Sequence, residues 1–261
     1  MNASLSTCTH LAMAEVRFQA IANLPDAIHA LQLHLHHAQY TQAVVLKNQT
    51  LQVEQFGQQQ MLVPGIAKTF AFTHADRMRQ FILNEQCLVL RTTEFTDMDS
   101  FTAFFQEGIY ILHKILNITQ ANRVGMRLLK RIIPSRGHPL RAYLQAGDAK
   151  RMDQFGGLSG HSQTEIAHQF NDIHLVHRVK AHVHSGMELP SDISHVDLAM
   201  RSDLTTYQGP SVFIDSDAYA QQPMDLQLPT VKKQLQHMHA ILGLAYQSSV
   251  SDWALAETGF R

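Results

Sequence analysis

The sequence predicts an α+β fold in which two similar units share one long antiparallel sheet. Short β-like runs are frequent along the chain, and a long amphipathic helix closes each half of it. The order of strand, helix, several strands and long helix occurs over residues 1–120 and again over residues 121–261. Because neither half has enough helix to cover its own sheet, we predict a single fused, saddle-like domain with its helices on one face and solvent on the other.

The first half begins with an alternating run at residues 15–21, which predicts a strand. Apolar residues spaced three and four apart predict a helix over residues 24–38. A cap-like run at residues 96–100 introduces a second helix that starts near Phe101. Between the helices the sequence predicts four short strands, at residues 43–46, 51–56, 68–73 and 87–95.

The second half repeats this order, with strands predicted at residues 124–132, 164–170, 174–184 and 211–219. Asn171 and Asp172 separate the middle two strands and predict a hairpin turn. Residues 139–146 predict a short helix, and residues 156–160 form a glycine-rich loop. The closing helix is predicted from one apolar face, formed by Val231, Leu235, Met238, Leu242 and Ala245.

The composition excludes several classes of protein. Charged residues make up 16% of the chain and apolar residues 45%, and the formal net charge is -1. A disordered chain, a basic nucleic-acid coat and an acidic tail would each depart strongly from this balance. The two cysteines, Cys8 and Cys87, form no CxxC pair, which is typical of a reducing compartment. Without a leader-like start or an apolar run long enough to span a membrane, we expect a cytoplasmic protein with no membrane partner.

Cations share one face of two predicted strands when their residues are sorted by period two. Arg123, Arg127 and Arg131 lie on one side of the central strand, and Arg178 and Lys180 on one side of a later strand. One interpretation is a solvated face on which these cations pair with carboxylates across strands. The alternative is a surface that binds nucleic acid, although the interleaved aromatic residues that would stack on bases are missing from it.

Candidate metal ligands also share strand faces; they are His182, His184, Asp215 and Asp217. Two histidines on one strand resemble a zinc half-site, to which Glu165 or His161 of the paired strand would add a third ligand. Two aspartates on one strand resemble a carboxylate pair for Mg²⁺ or for acid–base chemistry. Surface histidines and cross-strand ion pairs are the alternative interpretations of the same residues.

The sequence completes no catalytic or cofactor motif. The glycine-rich run at residues 156–160 has no lysine and no periodic helix after it, which excludes a phosphate-binding loop. A nucleophile elbow, the kinase motifs and a dinucleotide fingerprint are also missing. We therefore expect no cofactor and no catalytic residue, and we favour a function other than catalysis.

Three runs, at residues 15–18, 123–132 and 215–219, together resemble an uncharacterised, sporadically distributed prokaryotic family. The likeness spans nearly the whole chain, and its most specific part is the central run, Arg-Val-Gly-Met-Arg-Leu-Leu-Lys-Arg-Ile. Leu129 and Lys130 depart from the commoner family pattern. The resemblance implies a cytoplasmic α+β protein of an accessory system, such as phage defence or a toxin–antitoxin pair. The repeated order also resembles the saddle of TATA-binding proteins and chaperone sheets that hold extended peptides, which are likenesses of fold alone.

Three hypotheses of function follow. The first is a non-enzymatic binding module that holds a protein partner on the face or the edge of its sheet. The second is a nucleic-acid-binding protein that uses the cations of the two strands. The third is a metal-dependent enzyme built on the histidine and aspartate pairs.

Overall fold

The chain folds as an α+β structure dominated by antiparallel strands, as the sequence predicts. The computed structural model describes residues 8–21, 24–56, 59–135, 137–153, 161–182, 190, 198–200 and 207–257. Its strands are β1 (Cys8–Arg17), β2 (Gln42–Phe56), β3 (Gln59–Thr73), β4 (Arg79–Leu83), β5 (Cys87–Thr92), β6 (Gln120–Ala121), β7 (Arg123–Ile132), β8 (His161–Phe170), β9 (Ile173–His182), β10 (Ser211–Ala220) and β11 (Met224–Asp225).

The helices of the described residues are α1 (Leu24–His37), α2 (Met98–Leu116), α3 (Ala146–Asp153), α4 (Leu228–Ser249) and α5 (Asp252–Glu257). A short 3-10 helix, Leu140–Tyr143, takes the place of the helix predicted at residues 139–146. The cap-like run does begin α2, because Asp97 accepts a hydrogen bond from the backbone N–H of Ser100. Asn117 ends the same helix in the left-handed conformation, which Asn adopts more readily than most residues.

Nine of the described strands form one sheet, in the order β2-β3-β4-β5-β1-β7-β10-β9-β8. All pairs are antiparallel, and the two halves of the chain meet where β1 pairs with β7. β8 and β9 form the predicted hairpin, with Asn171 of its turn at a φ of 53°. The remaining strands, β6 and β11, form a separate two-stranded ladder.

The main core lies between one face of the sheet and the three longest helices. Alternate residues of each strand point to this helix face, so Val124, Met126 and Leu128 of β7 are buried while the residues between them point away. The helices α1, α2 and α4 bury the other side of the same core, chiefly through Leu31, Leu35, Phe101, Phe105, Leu112, Leu235 and Met238.

The opposite face, called the open face below, was expected to be solvated. Its charged part is partly exposed, but two small apolar clusters interrupt it. Leu198 packs on Leu11 and Leu129, and Ile82 packs with Val89 and the strand residues beside them. Solvent therefore covers only part of the open face, and not the whole of it as the sequence predicted.

Several boundaries differ from the predictions for physical reasons. The first strand covers Cys8–Arg17 instead of residues 15–21 because Leu11 and Ala12 are both fully buried, which hides the alternation. Residues 43–46 and 51–56 belong to one strand, β2, whose pairing with β3 continues through the polar run between them. The short strand β4 was missed.

The internal duplication and the division after residue 120 stay predictions. The glycine-rich loop at residues 156–160 lies outside the described residues, as does the end of the strand predicted to reach His184. No helix in the described part of the chain is long and apolar enough to cross a membrane.

Candidate functional site

The open face carries a row of arginines and carboxylates that crosses five neighbouring strands. We call it the charged row; it consists of Glu15, Arg17, Arg123, Asp217, Arg127, Asp215, Arg178 and Glu165. The register of the sheet builds it, because residues directly opposite in an antiparallel pair lie on the same face. Asp217 lies opposite Arg127, and Asp215 lies opposite Arg178.

The centre of the charged row is a two-pronged ion pair. Arg127 donates from Nε to Oδ1 of Asp215 and from Nη2 to Oδ2, both at 2.7 Å. The side chains are only 11% and 10% exposed, so solvent screens the pair little. This fork-to-carboxylate geometry is the strongest form of ion pair that arginine makes.

Arg178 extends the row toward the sheet edge. Its Nε donates to Oε2 of Glu165 at 2.5 Å, and its Nη1 lies 3.5 Å from Oδ2 of Asp215. Burial lowers the pKa of Arg178, but the hydrogen bond to Glu165 and the charge of Asp215 outweigh it and raise the pKa overall. Both carboxylates thus hold this guanidinium in its charged form.

Glu15 joins two arginines at the other end of the row. Arg17 donates from Nε to Oε1 of Glu15 at 2.7 Å, and Nε of Arg123 lies 3.3 Å from the same oxygen. The hydrogen bond to Glu15 raises the pKa of Arg17. Sharing one carboxylate between two guanidinium groups leaves this end of the row richer in positive charge.

Arg123 is held by stacking as well as by charge. Its guanidinium lies 3.9 Å above the ring of Tyr219, and that ring stacks on His174 with centroids 5.1 Å apart. Its Nη2 is 3.9 Å from Oδ2 of Asp217, which is longer than a hydrogen bond. Burial raises the pKa of Asp217, while Arg123 and Arg127 oppose that shift.

Two cavities adjoin at this end of the row. One, of about 190 Å³, lies over β1, β5 and β7 and is lined by Met13, Glu15, Arg17, Val89, Arg91, Arg123, Gly125, Met126, Arg127 and Asp217. The other, of about 530 Å³, lies at the strand ends and is lined by Arg17, Phe18, Gln19, Ala20, Gln86, Asn122, Arg123, Gln221, Gln222 and Pro223. Arg17 and Arg123 border both cavities.

The five cations predicted to form a binding strip do not act alike. Arg123, Arg127 and Arg178 lie in the charged row beside carboxylates. Arg131 is fully buried, where its Nη2 donates to the backbone oxygen of Tyr207 and its guanidinium packs on Phe213. Lys180 is half-buried near the C-terminal end of β9. The interpretation as cross-strand ion pairs accounts for the three cations that the structure brings together.

The candidate metal ligands are also separated. Asp215 and Asp217 face arginines, and Glu165 binds Arg178. His182 lies at the end of β9 with its ring against Phe213, and His184 lies outside the described residues. In the described part of the chain, no three His, Cys, Asp or Glu side chains are grouped so that they could hold a metal ion.

A buried histidine on the helix face was not predicted. His177 on β9 shares hydrogen bonds with Ser216 of β10 through Nδ1 at 2.8 Å and with Ser249 of α4 through Nε2 at 2.7 Å. Burial lowers the pKa of His177 despite the nearby charges of Asp148 and Asp215. The alternation of β9 placed His177 on the apolar side, but no sequence signal identified serine partners that lie 39 and 72 residues away.

Lys130 is a second buried ionisable residue that points to the helix face. Its Nζ lies 4.1 Å above the ring of Tyr246, and only 8% of the residue is exposed. Burial lowers the pKa of Lys130 to about 8.

The outer edge of β8 is a second candidate site. β8 is the last strand of the sheet, and its ten residues pair with β9 in an unbroken register. Ile166 is 44% exposed and Phe170 is 40% exposed, both on its helix side. α3 packs near the first half of the strand, where Thr164 donates to Oδ1 of Asp148 at 3.2 Å.

Comparison of the chain with models of protein families gives no match, and no curated protein matches it significantly.

Proposed function

We propose that this protein is a non-enzymatic binding module that holds an extended segment of a protein partner on the outer edge of β8. The observation that carries the proposal is the strand itself. β8 ends the sheet, and no described strand pairs with its outer side. An edge strand offers a row of backbone N–H and C=O groups to which an extended chain adds as a further strand.

The sequence of β8 has few of the features that usually block strand addition. Edge strands are commonly guarded by lysine, proline, a bulge or short length. β8 has ten residues without lysine or proline, its register shows no shift, and Glu165 is its one carboxylate. The opposite edge strand, β2, differs because it carries a lysine, Lys47.

The exposed side chains of β8 indicate the chemistry of the partner. Ile166 and Phe170 lie on the same side of the strand, and both are more than a third exposed. An added strand would place its own alternate side chains next to them. We therefore propose an extended partner segment with apolar residues at every second position on its helix side and polar residues on its open side.

The charged row gives less support to nucleic acid. Arg127 is bound to Asp215, and Arg178 is bound to Glu165, so each would have to leave a carboxylate before it could bind a phosphate. The full burial of Arg131 removes a further candidate. A protein partner needs no such exchange. The resemblance to a sporadically distributed family adds the proposal that the partner belongs to the same accessory system, of the phage-defence or toxin–antitoxin kind.

A displayed library of random decapeptides, selected on the full-length protein, tests the proposal. We expect the selected peptides to share alternating apolar residues. Hydrogen exchange of the complex should show new protection of the backbone amides of β8. Ala167→Lys places a guarding lysine on this edge and should weaken peptide binding at least tenfold. Val45→Lys on the exposed part of β2 is the matched control and should leave binding unchanged.

Other outcomes would contradict the proposal. Peptides that bind Ala167→Lys as well as the wild type, or a library that yields no binder, would count against β8 as the docking edge. Loss of binding in Val45→Lys alone would place the partner on β2. A homodimer that Ala167→Lys dissociates, seen by light scattering, would mean that the edge serves a second copy of this chain.

A further inference from the structure

We propose that the open face also binds a small phosphorylated molecule with a polar body, such as a nucleoside monophosphate or a sugar phosphate, in the two adjoining cavities bordered by Arg17 and Arg123. This site lies over β1, β5, β7 and β10, and β9 separates it from β8 in the sheet order. The inference goes beyond the proposed function, and either can fail without the other.

The smaller cavity has an excess of positive charge. Among the described residues that line it, four carry guanidinium groups and two carry carboxylates; Asp215, which binds Arg127 from outside the lining, reduces the formal excess to +1. Its volume of about 190 Å³ is suited to one compact group. A phosphate monoester, which carries close to two negative charges at neutral pH, is opposite in charge to this wall.

Arg123 is positioned to receive that phosphate. Stacking on Tyr219, which itself stacks on His174, fixes the plane of the guanidinium. Its Nε lies 3.3 Å from Oε1 of Glu15 without the geometry of a hydrogen bond, and among the described residues no atom accepts a hydrogen bond from it. An incoming oxygen that accepts from Nε would therefore add a hydrogen bond that the ion pair with Glu15 does not supply. A planar guanidinium also binds a phosphate through two parallel hydrogen bonds.

Gly125 keeps the wall of this cavity open. A Cβ at this position would lie 3.3 Å from Cβ of Tyr219 and 4.0 Å from Nε of Arg123. A side chain would therefore press on Tyr219 and occupy space beside the guanidinium of Arg123. Because Gly125 has no side chain, the phosphate can approach the backbone of β7 closely.

The larger cavity accounts for the polar body of the ligand. Its volume of about 530 Å³ is typical of small-molecule sites. Five of its lining residues are amides, namely Gln19, Gln86, Asn122, Gln221 and Gln222. An amide side chain both donates and accepts hydrogen bonds, as a sugar or a nucleobase requires. A ligand with its phosphate between Arg17 and Arg123 would extend its body directly into this space.

When no ligand is bound, Glu15 and Asp217 hold the arginines of the smaller cavity in place. An arriving anion can displace these carboxylates. Glu15 bridges Arg17 and Arg123. Asp217 contacts Arg123 only at 3.9 Å, and burial raises the pKa of its carboxyl against the opposing charges of Arg123 and Arg127. Asp217 is therefore the carboxylate that an arriving anion most easily displaces from Arg123 or causes to take up a proton. Replacing Asp217 with a neutral residue should strengthen binding of the anion.

Calorimetric titration of the full-length protein with AMP, adenosine, ribose 5-phosphate, ribose and inorganic phosphate tests the inference. We expect AMP and ribose 5-phosphate to bind at least tenfold more tightly than adenosine and ribose, with affinities that fall as salt is added. Inorganic phosphate should bind more weakly than either ester because it leaves the amide-lined cavity empty. Equal responses to phosphorylated and unphosphorylated ligands would overturn the inference.

Two variants with opposite expected effects separate binding from folding. Arg123→Gln should weaken AMP at least tenfold, whereas Asp217→Asn should strengthen AMP several-fold, and a loss of fold cannot produce the second result. Arg178→Gln, on the same face but outside both cavities, is the control and should bind as the wild type. Wild-type affinity in both cavity variants would overturn the site. A 5′-phosphorylated decathymidylate that binds where AMP does not would overturn the choice of a small ligand.

Discussion

The two faces of the sheet are built from the same strands and treat charge in opposite ways. On β7, Met126 and Leu128 point into the helix-covered core, while Arg127 between them binds Asp215 on the open face. Carboxylates hold the arginines of the open face in their charged form. On the helix face, burial lowers the pKa of both Lys130 and His177, which moves them toward neutrality. The environment on each side of one strand therefore decides whether an ionisable group keeps its charge.

The largest expected effect comes from removing core volume on the helix face. Phe105 on α2 is fully buried, and Phe105→Ala should lower the free energy of unfolding by about 3–5 kcal/mol. Tyr110→Ala on the exposed side of the same helix should change it by less than about 0.5 kcal/mol. Urea unfolding followed by circular dichroism measures both. Similar losses in the free energy of unfolding for the two variants would mean that it makes no difference whether the substituted residue faces the core or solvent.

On the open face, breaking the central ion pair should be the costliest change. Asp215→Ala leaves the nearly buried guanidinium of Arg127 without its two-pronged partner and should cost about 2–4 kcal/mol. Glu165→Ala removes a partner of Arg178 that is 52% exposed and should cost less than about 1 kcal/mol. Urea unfolding of the two variants, and of a double-mutant cycle with Arg127→Ala, sharpens the comparison. Equal costs would show that burial within the charged row is energetically unimportant.

Replacing the lysine of the helix face should have the opposite sign. Lys130→Met keeps the contact with Tyr246 and removes a buried cation, so it should stabilise the protein at pH 7 by on the order of 1–3 kcal/mol. The lowered pKa, about 8, means that the folded state releases its proton before the unfolded state. Wild-type stability should therefore rise between pH 8 and about pH 10.4, and the gap to Lys130→Met should narrow. A constant gap in urea unfolding at pH 7 and pH 10 would contradict this.

The smallest effect concerns His177 and acid. Its lowered pKa means that the folded state binds fewer protons than the unfolded state near the ordinary histidine value. The contribution of His177 to the free energy of unfolding is fully present above about pH 6.5. It is lost as the pH falls toward the pKa of the folded state, with a slope of up to about 1.4 kcal/mol per pH unit. His177→Gln should show a shallower slope in urea unfolding between pH 7 and pH 5. A slope in His177→Gln equal to that of the wild type would contradict this expectation.

Local patterns predicted the parts of the fold that depend on neighbouring residues. The stripe of α1, the cap of α2 at Asp97 and the hairpin at Asn171 all involve residues within a few positions of one another. The extent of β1 was not predictable in this way, because distant segments bury both faces of its first half at Leu11 and Ala12.

The candidate sites show the same limit. Period two placed Arg127 and Arg131 on one face, yet one binds Asp215 and the other lies buried beside Tyr207. The difference arises from a segment 76 residues further along the chain, which no strand pattern contains. The two cavities were also missed, because Arg17 and Arg123 meet only through the pairing of β1 with β7.

That pairing also bears on how the polypeptide is made. β1 lies at the middle of the sheet, and Cys8 faces Arg131 across the ladder. During synthesis on the ribosome, β1 emerges long before β7 has been made. The backbone N–H and C=O groups of β1 that later pair with β7, and the apolar side chains beside them, therefore stay exposed. Such long-range contacts slow folding and leave nascent chains open to aggregation. We expect the newborn protein to depend on chaperones until residue 132 has left the exit tunnel.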